Sequence, residues 1–151
     1  MQVWVFLHIS MMFAAVTAAW AGNWLIAIGV RRRDLETLRT YDRVSGPFEA
    51  VSLGALVLGI VFGFVAAVSG GIDLTAGWLL AAYGLVASGV VVAALTLPYF
   101  TRLIAAVRSV GNGPISPELD ALLRSRIPLV QATWSTALII VIVADMVLKP
   151  F

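Results

Sequence analysis

Four long stretches of the chain contain no Asp, Glu, Lys or Arg: residues 1–30, 50–72, 74–101 and 127–144. Each can supply the roughly 20 apolar residues that an α-helix needs to cross a bilayer. In lipid a backbone must satisfy its own polar groups, and no strand-like alternation of apolar and polar residues argues for a barrel. The pattern therefore predicts membrane helices near 3–29, 50–68, 78–97 and 129–148. The segments between them are amphipathic. Leu35, Leu38 and Tyr41 recur at helical spacing among charges until Ser45, Gly46 and Pro47, which predict a break before Phe48. Beyond Pro98, Leu103, Ile104 and Val107 alternate with Arg102 and Arg108, as on a helix surfacing along the interface. "GNGP" at 111–114 then turns the chain, and Ser116 with Pro117 predicts a capped short helix whose apolar face holds Leu119, Leu122, Leu123 and Ile127.

Composition agrees with lipid as the solvent. Hydrophobic residues make up 61% and charged residues 12%, with a mean hydropathy of +1.00, too little polar surface for a water-soluble globule. The first apolar run lacks a basic leader and is much longer than the core of a signal peptide, so it is expected to stay in the mature chain. Cysteine is absent, which removes disulfides and thiolate metal sites.

Charge sets the expected orientation. Nine arginines fall in two segments, 31–43 and 102–126, against one lysine, Lys149, on the other side. The positive-inside rule places both arginine-rich segments in the cytoplasm and both termini outside, in a multi-pass protein of a bacterial cytoplasmic (inner) membrane. Arg124 and Arg126 are then expected to meet lipid phosphates. An interfacial helix beside anionic lipid is the reading preferred over a nucleic-acid site.

Small residues recur at four-residue spacing: Ser10, Ala14, Ala18 and Gly22; Ala55, Gly59 and Gly63; Gly84 and Ser88. Such ridges let helices approach closely in lipid. The expected fold is all-α: one integral membrane domain over 1–151, an antiparallel up-down transmembrane four-helix bundle with short cytoplasmic interfacial helices. The same ridges suit contacts between protomers or with a larger partner.

Polar groups within the spans are costly and mark candidate sites: His8, Asn23, Gln131 and Asp145. His8 lies near the start of the first span and Asp145 near the end of the last, both roughly 6–8 Å inside the outer helix ends. Met12, Ala15, Ala19 and, less closely, Asn23 share the His8 face. Three readings compete. In one, His8 bonds to Asp145 or a carbonyl, Lys149 pairs with Asp145, and the methionines fill gaps. In another, His8 is an axial ligand of haem or another tetrapyrrole. In the third, His8, Met11, Met12 and Met146 offer imidazole and thioether donors to Cu(I). No P-loop, nucleophile elbow, dinucleotide motif or HExxH is present.

"FLHI" at 6–9, the arginine-rich first cytoplasmic segment, "GWLLAAYGL" at 77–85 and the terminal "MVLKPF" at 146–151 resemble a bacterial family of predicted four-helix integral membrane proteins of unknown function. That family is similar in layout to HemJ-type protoporphyrinogen oxidases and CopD-type copper proteins. The oxidase resemblance implies haem b or tetrapyrrole binding through His8, with Lys149 and Pro150 matching the closing lysine-proline. The oxidases' third-helix histidine and lysine have no counterpart in "WLLAAYGLVASGVVV". The functional expectation is a small non-catalytic membrane protein acting by helix packing, as a homo-oligomer or an accessory subunit of a membrane complex. A haem-binding oxidoreductase and a copper-binding membrane protein are the alternatives.

Overall fold

A computed structural model describes residues 2–111 and 113–149. Asn112 of the expected turn and Pro150 of the terminal motif therefore lie outside the described residues. Five α-helices follow in order: α1 (Gln2–Arg32), α2 (Leu35–Ser69), α3 (Gly77–Val110), α4 (Pro117–Leu123) and α5 (Ile127–Leu148). Four helices, with α4 and α5 taken together as the last, are long and apolar enough to cross a membrane. The described chain contains no strand.

Two of the expected boundaries are overturned. The break at Ser45–Pro47 does not occur, because α2 runs unbroken from Leu35 to Ser69 with Pro47 inside it. Likewise α3 continues through Pro98 to Val110, so the segment beyond Pro98 extends the same helix. A proline in a helix interior removes one backbone bond and crowds the preceding turn, at a cost of about 3 kcal/mol. Packing on both flanks offsets that cost in α2. Leu38 and Tyr41 precede Pro47 and meet Gly29 and Gly22 of α1, while Ser52 beyond it donates to the Ala15 carbonyl at 3.0 Å. Pro47 and Pro98 are both exposed, which leaves the carbonyls they orphan on the outside of the bundle. At 35 and 34 residues, α2 and α3 extend about 50 Å, well beyond a hydrocarbon core of roughly 30 Å.

The local signals at the other ends are strong. Asp34 caps α2, accepting from the Glu36 and Thr37 amides, and sits one residue after Arg33, whose φ of 54° reverses the chain. Asp34 N–H returns to the Gly29 carbonyl at 2.9 Å, closing the end of α1. Ser116 caps α4 by accepting from Leu119 N–H, with Pro117 in the first turn, as its spacing predicts. Gly71 at φ 67° turns the chain between α2 and α3.

As α1 advances from His8 to Gly29, its partners on α2 fall back from Gly63 to Leu38. Between α3 and α5, Gly89 meets Leu138 and Thr96 meets Gln131, so those partners also fall as the others rise. On α1, the residues toward α2 are His8, Ala15, Gly22 and Gly29, a seven-residue repeat, with Met12 between. Gly22 of the small-residue ridge thus shares the His8 contact line, because two packed helices that wind around each other keep a seven-residue repeat in contact.

The most deeply buried cluster lies at the arginine-rich end. Ile26 and Val30 of α1, Leu38 of α2, Leu103, Ala106 and Val107 of α3, and Leu119 and Leu123 of α4 close on one another. Elsewhere the apolar windows are mostly outward-facing, as lipid permits. Leu103→Ala should lower stability by about 2–5 kcal/mol through the cavity it leaves. Leu95, 76% exposed, should tolerate alanine with little change. Thermal unfolding of both variants in mild detergent checks this, and equal losses would contradict a load on the α1–α4 cluster.

Candidate functional site

His8 is a side chain wedged between two helices. Its Nδ1 lies 2.7 Å from the Gly59 carbonyl oxygen. A carbonyl only accepts, so Nδ1 carries the hydrogen and Nε2 is the ring nitrogen left out of that bond. The ring fits because α2 has no side chain there: a Cβ on Gly63 would stand 2.7 Å from His8 Nδ1 and 2.9 Å from Cε1. One turn along, a Cβ on Gly59 would stand 2.7 Å from Met12 Sδ. The Ala55–Gly59–Gly63 ridge of α2 is thus occupied by the imidazole and thioether of α1. Trp4 stacks on Phe62 above this level, with centroids 6.0 Å apart.

Asp145 behaves differently. It is 9% exposed, its Oδ2 is sealed, and among the described residues no group donates to that oxygen. Lys149 does not pair with it. Its backbone N–H caps α5 on the Asp145 carbonyl at 2.9 Å, and its Nζ lies 5.2 Å from the centroid of the Trp78 ring. The left-handed backbone of Lys149, φ 44°, turns the side chain away from the helix that an i,i+4 pair would need. Met146, next to Asp145, is half-buried.

The other polar groups pin α5 at different depths. Asn23 donates to Ser135 at 3.3 Å, while Trp20 and Trp24 both donate to Thr136, at 2.9 and 3.1 Å. Gln131 is buried and its Oε1 accepts from Thr96 at 3.4 Å. Pattern reading singled out Asn23 and Gln131 but missed Thr96, Ser135, Thr136 and the two tryptophans. Hydroxyl residues inside apolar runs were the available signal.

Among the small residues, Ala14, Ala18, Gly22 and Ser88 are half-buried. Gly89, one residue past Ser88, takes the close contact with α5, its would-be Cβ 2.8 Å from Leu138 Cδ2. Gly84 faces outward, and a Cβ there would meet nothing within 4 Å.

At the arginine-rich end the charges form a lattice. Arg108 grips Asp42 through Nε and Nη2 at 2.8 and 2.7 Å, joining α3 to α2. Asp120 on α4 takes Arg33 at 2.9 Å and Arg124 at 2.7 Å. Arg39 and Arg43 flank Glu36, and a shallow groove of about 360 Å³ lies among Glu36, Arg39, Asp42 and Arg43. Hydrogen bonds from Arg108 hold the Asp42 carboxyl below its ordinary value, and those from Arg124 do the same for Asp120.

Gly63→Ala should force the imidazole off the Gly59 carbonyl and destabilise the α1–α2 pair by about 1–2 kcal/mol. Gly84→Ala should leave the protomer's own fold unchanged or slightly more stable, since its Cβ meets nothing within the protomer and alanine is the better helix former. Denaturation in mixed micelles compares the two, and a harmless Gly63→Ala would remove the wedge. Because Asp42 and Asp120 have lowered folded-state pKa values, their stabilisation is complete above the ordinary value of 3.8 and is lost as pH falls through the lowered values. Melting temperature should therefore start to drop below about pH 4, and a flat profile from pH 6 to about 2.5 would show that the lattice contributes nothing.

No family model, curated protein or solved structure matches this chain.

Proposed function

We propose that the protein is a small, non-catalytic integral protein of a bacterial cytoplasmic membrane. In this reading it is an antiparallel up-down four-helix bundle with both termini outside, the helix α4 at the cytoplasmic interface, and its work done by helix packing as a homo-oligomer or as an accessory subunit of a larger complex. Four apolar helices and the arginines clustered at one end support the placement. The observation that carries the packing role is Gly84. The glycines at 59, 63 and 89 are each filled by a side chain of the same molecule, whereas Gly84 opens onto empty space beside Leu80, Ala87 and Val91, all exposed. A glycine without an internal neighbour on an apolar face lets a second helix approach closely.

Purified in mild detergent, the protein should run above its 16.1 kDa protomer mass or retain another polypeptide at fixed stoichiometry. Gly84→Leu should weaken that association about tenfold, the equivalent of 1–2 kcal/mol. A strictly monomeric protein with no companion overturns the reading.

A second reading rests on His8. Ligand histidines commonly donate Nδ1–H to a backbone carbonyl so that Nε2 points to the metal, and the His8 bond to Gly59 has that form. His8 would be the single axial ligand of a haem, whereas Met12 is committed to packing against Gly59 and is a poor donor for copper. The absorption spectrum of the same preparation decides it: a Soret band lost in His8→Ala supports haem, and no band sinks it.

A further inference from the structure

The nine arginines divide into two sets. Arg33, Arg39, Arg43, Arg108 and Arg124 each make an ion pair. Arg31, Arg32, Arg102 and Arg126 are exposed and make neither an ion pair nor a side-chain hydrogen bond with any described residue, although Asp34 feels the charge of Arg32. The second set comes from three helices, yet it lies at one depth. Arg31 is eight residues beyond Asn23, and Arg126 is nine residues before Ser135, which Asn23 touches, so both sit about 12–14 Å past that contact. Arg102 is six residues beyond Thr96, and Arg126 is five before Gln131, which Thr96 touches, or about 7–9 Å past that one. The apolar side chains immediately toward the bundle centre, Ile28, Leu97 and Val130, are exposed, so the arginines stand at the edge of an apolar belt.

We propose that Arg31, Arg32, Arg102 and Arg126 form a ring that binds the phosphates of anionic phospholipid headgroups. A guanidinium with no carboxylate partner can take a phosphate in bidentate fashion. Arg126 stands at the N-terminus of α5, whose first turn carries no acid and whose dipole adds positive potential. Arg124, expected from sequence to share this role, is already committed through Nε and Nη2 to Asp120. Arg33 and Arg108 pair across helices, Arg39, Arg43 and Arg124 pair within their own, and the four others are left for the lipid.

The proposal rests on the membrane placement above. It is tested by native mass spectrometry of the full chain in mild detergent, titrated separately with phosphatidylglycerol, phosphatidylcholine and inorganic phosphate. Phosphatidylglycerol should be retained over phosphatidylcholine, less so as salt rises. Each of Arg31→Gln, Arg32→Gln, Arg102→Gln and Arg126→Gln should lower that preference about fivefold. Arg39→Gln, which removes a paired arginine, should leave it unchanged. Equal retention of the two lipids, an undiminished preference in all four variants, or displacement of the lipid by equimolar inorganic phosphate would overturn the ring. The single substitutions are at exposed positions and are compared at matched helical content by circular dichroism, so a folding defect does not mimic lost binding. A chain that stays soluble without detergent would instead sink the membrane placement itself.

Discussion

The pairing of α1 with α2 depends on two missing side chains. Gly59 and Gly63 leave a groove that Met12 and His8 fill, and the imidazole closes it by donating to the Gly59 carbonyl at 2.7 Å. Within lipid there is no water to drive apolar faces together, so helix pairs rely on contact distance and on hydrogen bonds. The backbone approach that glycine permits provides the first. The carbonyl, reachable only because no Cβ shields it, provides the second. Along the same line the contact continues through Ala15, Gly22 and Gly29, so one close approach sets the register of the whole pair.

The opposite logic governs the arginine-rich end. There the helices outrun a bilayer's hydrocarbon thickness, and a buried apolar cluster of α1 to α4 takes over, surrounded by carboxylate–arginine pairs. The two modes explain why Pro47 and Pro98 do not end their helices: each proline falls where one mode gives way to the other, and the packing before and after it holds the helix axis continuous. Asp145, sealed in the last turn of α5, is among the described residues the buried side chain with a polar atom that neither mode satisfies.

Much of this was legible in the sequence. The four apolar runs, the Ser116–Pro117 cap and the costly polar residues all follow from local pattern, because a run's length, a cap's spacing and a charge's expense in lipid depend only on the residues themselves. What failed depended on neighbours. The Ser-Gly-Pro stretch reads as a break until the flanking contacts with α1 are known. Lys149 and Asp145 have the spacing of an ion pair, but a left-handed residue at the helix end sends the lysine to Trp78.

The chain by itself determined where apolar helices form and on which end positive charge gathers, since both are sums over nearby residues. Only the tertiary structure decided which glycines are filled and which are bare, which arginines are spent on carboxylates and which remain, and that His8 faces a carbonyl. Several of those outcomes belong to residues far apart in the chain, such as His8 with Gly59, 51 positions away, and Arg108 with Asp42, 66 away, and no local pattern carries the distance between them.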